Sequence, residues 1–310
     1  MHAALWGAAK GIVCTLHVDH KPRFTLAQRI ECMPVEGLGM LAKIGVDISK
    51  LHVDVVFTKR RIAWGTNFPV DIQSKPYVTI ERPTLEQTLF QIACSNYLIK
   101  INTSNNYSID EVVDASGFNP MNKAIALTWV AKVFCLKNLA GRDRIFSLAS
   151  LPNGYVYRAS SLNWTNLAFV GPVEEFTGEP SILEDAIHCA GQGWILDGLP
   201  PLSYWGTTRG GMASFDTSSS LSRKIGGSAF RRDILSSQGV ISGLSDGYHA
   251  VQCVENNDWS SLTQRHLIER TQHLRSLCHM LRSNRFCMSS EWRNYEEWLN
   301  ECAEKLKTVD

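Results

Sequence analysis

The segment from Ser261 to Lys307 constrains the fold more than any other part of the chain. Ser261 followed by Gln264 has the spacing of a helix-opening capping box, and Leu267, Leu274, Cys278 and Leu281 then recur along one stripe. Ser290 opens a second run, in which Trp292, Tyr295, Leu299, Cys302 and Leu306 alternate spacings of three and four. That periodicity predicts two helices, each with one apolar face. The short connection between them predicts an antiparallel hairpin. Isolated helices of this length are marginal in water, so the stripes must be buried against something else. The outer faces differ in charge: Arg265, Arg275, His279 and Arg282 on the first, Glu296, Glu297, Glu301 and Glu304 on the second.

The rest of the chain predicts a mixture of strands and helices. Leu16 and Val18, and later Leu51, Val53 and Val55, alternate with polar neighbours, as in a half-buried strand. Residues 51–57 and 62–64 could form a hairpin around a turn at 58–61. Tyr77 to Glu81 reads as a strand, Thr84 with Gln87 opens a helix to about Ser95, and Tyr97 to Asn102 reads as another strand. Asn119-Pro120 is a helix start, with a helix expected to about Leu136. Short strands follow at 145–149, 155–158 and 167–170, and Pro180-Ser181 with Glu184 opens a further helix. Between 198 and 227 glycine, serine and proline accumulate, which suggests a mobile loop or linker. Residues 240–254 read as a hairpin about Asp246-Gly247. The fold class is therefore α+β, with a strand-rich N-terminal region and a C-terminal helical hairpin. The organisation expected is 1–197 as a mixed domain, 198–230 as the loop, and 231–310 as hairpin plus helices.

Composition excludes extremes. Thirty-one Lys and Arg oppose thirty Asp and Glu, so neither a histone-like nor a strongly acidic protein is expected. With 44% hydrophobic residues a large core is available and extensive disorder is not expected. Nine cysteines, odd in number and without a CxxC pair, read as buried free thiols of a reducing compartment: cytoplasm, nucleus or virion. The apolar start carries Lys10 and no small-residue cleavage site, so no signal peptide is expected. The most apolar helix candidate, Ala124 to Leu136, is too short to span a bilayer, and no membrane partner is expected.

Four motifs carry chemistry. Leu-His-Val-Asp occurs twice, at 16–19 and 51–54. If the two strands were neighbours, His17, Asp19, His52 and Asp54 would converge as a site for zinc, manganese or iron that activates water. Plain amphipathic alternation explains the same residues, and no bound metal is expected. Gly37-Leu-Gly39-Met-Leu-Ala42 fits the GxGxxA dinucleotide fingerprint in outline, but Pro34 disturbs the strand that should precede it and Gly45 interrupts the helix that should follow. Gly193-Trp-Ile-Leu-Asp-Gly-Leu-Pro200 resembles a short stretch of adenylate kinases. The chain holds no GxxxxGK phosphate loop, so a buried strand ending in a turn is the preferred account. The run from Ser222 to Arg232 puts Arg223, Lys224, Arg231 and Arg232 among glycines and hydroxyls, a composition suited to a phosphate backbone. Arg275 on the basic helix face could extend that patch.

With no catalytic signature in view, the leading expectation is a structural or assembly protein. It would associate with itself, contact an RNA or DNA backbone, and need no cofactor, as a viral capsid or nucleocapsid-type protein does. The second is a metal-dependent hydrolase or nuclease built on His17, Asp19, His52 and Asp54. The third is an enzyme whose site is assembled from distant residues and leaves no local motif.

Overall fold

The computed structural model describes residues 1–18, 30–51, 53–102, 113, 125–137, 146–161, 163–172, 179–215, 225 and 239–307. The fold is α+β, as the sequence predicts. Two sheets form its frame. The small one pairs β1 (Cys14–His17) with β5 (Ile99–Asn102) in parallel. The large one has eight strands in the order β10-β6-β9-β8-β7-β3-β4-β2. In chain order these are β2 (Ile30–Pro34), β3 (Asp54–Ala63), β4 (Val70–Glu81), β6 (Ile125–Lys137), β7 (Phe146–Leu151), β8 (Gly154–Ser160), β9 (Trp164–Pro172) and β10 (Gly206–Phe215). All its pairings are antiparallel except β3 with β7.

Side-chain alternation gives the central strands two apolar faces. On β6, Trp129 and Ala131 join one core cluster, whereas Phe134 and Leu136 join the other. Strand β9 is buried at seven consecutive positions from Thr165 to Gly171, as a strand covered on both sides must be. The turn between β7 and β8 needs Gly154, whose φ is +146° and where a Cβ would stand 2.1 Å from the Val170 carbonyl oxygen.

Helices cover both faces. One is sealed by α4 (Pro180–Cys189) and the turns after it, which bury Leu183, Ile187, Ile195 and Leu202. The other is sealed by α6 (Ser260–Arg282) and α7 (Ser290–Lys307). Trp292, Tyr295, Leu299 and Cys302 of α7 are all buried, at the spacing expected from the sequence. On α6 the buried line is Leu262, His266, Arg270, Leu274, Leu277 and Leu281, with Leu267 and Cys278 only half-buried. Trp292 donates its indole N–H to the Leu151 carbonyl at 2.8 Å and meets Trp64 and Trp129 edge-on. The helical stripe is thus buried on the sheet.

Five local expectations are corrected. Residues 58–61 are not a turn, since β3 runs through them. The part of the expected helix that is described, 125–136, is strand β6: its aromatic and β-branched residues have two apolar faces to serve, which a strand does and a one-faced helix does not. Residues 206–215, expected in a mobile loop, form β10 and pair with β6. Residues 240–254 are not a hairpin but lie in helix α5 (Gly239–Asn256). There Leu244, Gly247 and Val251 face one neighbour, and Asp246, Ala250 and Cys253 face α6. Likewise Gly193–Leu196 is a 3-10 turn rather than a strand, held to β8 by the Arg158 guanidinium, which donates to the carbonyls of Ile195 and Asp197 at 3.3 and 3.1 Å.

Candidate functional site

The remaining elements build a site around the small sheet. Helix α1 (His2–Ala9) ends at Gly11, whose φ of +79° lets the chain reverse and enter β1. Helix and strand therefore lie side by side in opposite directions, and their lengths match: eight residues of helix and four of strand each span roughly 12–13 Å. The start of α1 consequently stands at the carboxyl end of β1. Because β5 is parallel to β1, with His17 opposite Asn102, its carboxyl end is at the same edge.

Helix α5 brings a second N-terminus there. A Cβ at Gly243 would lie 2.9 Å from the His2 ring, and one at Gly247 would lie 2.9 Å from the Ala3 nitrogen. Further along, a Cβ on Gly7 would touch Val251 at 3.9 Å, and Lys10 approaches Glu255 at 3.9 Å. Both sequences rise together, so α5 runs parallel to α1. Trp6 anchors the pair, donating to the Leu244 carbonyl at 2.9 Å and meeting Tyr248 edge-on. The glycines allow this close crossing because they bring nothing between the backbones.

Two positive helix ends therefore converge at the carboxyl edge of a parallel strand pair. Unsatisfied N–H groups and the helix dipole make such an end attractive to anions, and ligands of parallel α/β units bind at this edge. The side chains beside it suit the same purpose. Burial lowers the His2 pKa to about 4, so its ring is neutral near pH 7 and can donate or accept a hydrogen bond. His17 and Asn102 close the edge.

Most residues singled out in the sequence lie elsewhere. The two Leu-His-Val-Asp strands are not neighbours: His17 is on β1, paired with β5, while Asp54 opens β3, paired with β4 and β7. Asp19 and His52 lie outside the described residues. Among the described residues no group of three or more His, Cys, Asp or Glu could hold a metal ion. Gly37 and Gly39 lie in the first turn of helix α2 (Glu36–Lys43), but the strand before it, β2, pairs antiparallel at the end of the large sheet, so they do not stand at the carboxyl edge of a parallel pair. Arg223, Lys224, Arg231 and Arg232 lie outside the described residues, and Arg275 is exposed on α6. The glycines that do build the site, Gly243 and Gly247, were missed by sequence reasoning. Their signal was a spacing of four, from Gly239 through Gly243 to Gly247, which puts small residues on one helical stripe.

Comparison with known proteins bears on fold. No protein-family model matches the chain, and no curated protein matches it in sequence. Solved structures do match. CmlS, a flavin-dependent halogenase, superposes with a TM-score of 0.67 at 15% identity, over 99% of this chain and 69% of that one. The tryptophan halogenase from Shewanella frigidimarina gives 0.68 at 10% identity, over 97% and 78%. A geranylgeranyl bacteriochlorophyll reductase-like protein from Thermoplasma acidophilum gives 0.59 at 13%, over 99% and 92%. These likenesses overturn the expectation of a capsid-type assembly protein, and equally that of a metal-dependent hydrolase or nuclease. The chain has the fold found in flavin-dependent halogenases and in a reductase-like protein.

Proposed function

We propose that this chain is a flavin-dependent oxidoreductase whose cofactor lies at the carboxyl edge of β1 and β5. The observation that carries this reading is the convergence of the α1 and α5 N-termini on that edge. The donor set fits a phosphate-bearing flavin: two helix ends rich in N–H donors, a histidine that is neutral near pH 7, and an asparagine. When bound, a flavin would supply reversible two-electron redox chemistry that these side chains lack.

The chain's own residues then have three tasks. The first-turn N–H groups of α1 and α5 balance negative charge on the ligand, since each helix end carries about half a positive charge. His2 supports one hydrogen bond without adding charge. Gly243 and Gly247 keep the two helix ends together, so that both reach one ligand.

The test is a titration of the purified full chain with FAD, followed by the change in flavin absorbance and by quenching of flavin fluorescence. Saturable binding is expected. A Gly247→Leu chain, in which α1 is levered away, should bind at least tenfold more weakly on an order-of-magnitude estimate from the loss of one helix-terminal anion site. A folded parent chain that fails to bind FAD would overturn the proposal.

A further inference from the structure

We infer that the end of the β3–β4 hairpin is a docking surface for an anionic lipid bilayer. Phe68, Val70 and Ile72 are 78%, 51% and 46% exposed, and they succeed one another at every second residue into β4. Val70 lies opposite Ile62 and Ile72 opposite Arg60, so one face of the hairpin end is apolar at Ile62, Val70 and Ile72, bordered by the Arg60 cation, and Ile62 continues it into the aromatic layer under α7. The opposite face is basic. Lys59 stands across from Gln73 and Arg61 across from Asp71, and Lys75 follows on the same strand at a break in the register.

Charge complementarity selects the occupant. Residues 58–76 hold Lys59, Arg60, Arg61 and Lys75 against Asp71 alone, a net of +3 in a chain whose total is +1. The remainder of the chain is therefore at −2. Arg60 is stacked over Tyr77, 4.0 Å from the ring centroid, and Arg61 binds Asp71 at 2.9 Å. Lys59 and Lys75 are exposed. Apolar side chains that enter the headgroup boundary, flanked by lysines that meet anionic lipid, are the two components of surface anchoring.

A second copy of the chain fits this surface less well. Among the described residues, β2 covers β4 only from Tyr77 to Glu81, which leaves the edge from Val70 to Lys75 without a strand beside it. That open stretch is flanked by Pro69 and Pro76 and carries Lys75, the devices that prevent edge-to-edge pairing. Among the described residues no helix is long and apolar enough to cross a membrane. Lying on a membrane surface requires no such span.

The experiment is co-sedimentation of the full chain with vesicles of phosphatidylcholine, with and without phosphatidylserine, at low and high salt. The parent should pellet with the phosphatidylserine vesicles and be released by salt. Replacing Phe68, Val70 and Ile72 together by Ser should abolish pelleting. Lys59→Glu with Lys75→Glu should weaken it by about fivefold per lysine, the worth of one cation near an anionic surface. Equal and negligible pelleting of the parent with both vesicle types would overturn the inference. So would an exposed-residue variant, folded by circular dichroism, that pellets like the parent. Velocity sedimentation without lipid covers the rival: an oligomer that the Phe68, Val70 and Ile72 replacements dissociate would assign the patch to a second copy instead.

Discussion

Individual side chains set what this protein can react with and at what pH. Burial pushes the Cys32 thiol up to about 12, with Glu31 adding to the effect and Arg60 opposing it. Cys94 and Cys189 are exposed instead. A thiol must ionise and be reached to react, so a disulfide reagent should modify Cys94 and Cys189 rapidly and Cys32 only on unfolding. Loss of two fast-reacting thiols in the Cys94→Ser, Cys189→Ser variant, counted by absorbance, checks this; a fast-reacting Cys32 would contradict it. His2 gives a pH dependence. Its folded value is about 4 against an ordinary 6.5, so between those values the unfolded chain binds the extra proton. Stability contributed by neutral His2 is therefore complete above pH 6.5 and falls as pH drops towards 4. In a His2→Gln variant the thermal midpoint should vary less over that window than in the parent, as a melting series at stepped pH would reveal.

At the scale of elements, glycine position separates packing from motif. Gly39 belongs to a fingerprint that has no loop to serve. A Cβ there meets nothing within 4 Å, so Gly39→Ala should stabilise helix α2 by about 0.5–1 kcal/mol. Gly247 belongs to no named motif, yet a Cβ there strikes the Ala3 nitrogen and the His2 carbonyl carbon at 2.9 and 3.0 Å. Backbone cannot yield as a flexible side chain can, so Gly247→Leu should cost roughly 1–3 kcal/mol. Chemical denaturation of both variants would settle the contrast, and equal effects would refute it. Helix α7 gives a second contrast. Leu299 is fully buried against the sheet, and Leu299→Ala should cost about 2–5 kcal/mol, whereas Glu297→Ala should stay within about 0.5 kcal/mol of the parent. A Leu299→Ala chain as stable as its parent would refute the packing of α7 described here.

On the whole-molecule scale, the amphipathic elements were legible and the candidate site was not. The spacings of Trp292, Tyr295, Leu299 and Cys302 predicted α7, because a 3.6-residue period fixes which face of a helix is buried, and the short runs at 145–149, 155–158 and 167–170 predicted β7, β8 and β9. The run at 125–136 reads as a helix because Asn119-Pro120 offers a helix start and β6, apolar on both faces, lacks the alternation that would have marked a strand. Reading failed again on α5, where three glycines dilute the helical stripe, and on β10, where a Gly/Ser-rich composition hid a strand ordered by its pairing with β6. The candidate site depends on these missed pieces. His2, His17, Asn102 and Gly243 come from four distant segments. By itself the sequence determined the fold class, the C-terminal helical pair and the buried stripe of α7, since those follow from local periodicity and from the need to bury apolar side chains. Tertiary structure alone decided that α5 runs parallel to α1 and that their positive ends meet at the edge of β1 and β5, because that meeting is made by packing between segments far apart in the chain, such as the Trp6 indole on the Leu244 carbonyl, and the glycine spacing on α5 marks a small-residue stripe without naming the helix it meets.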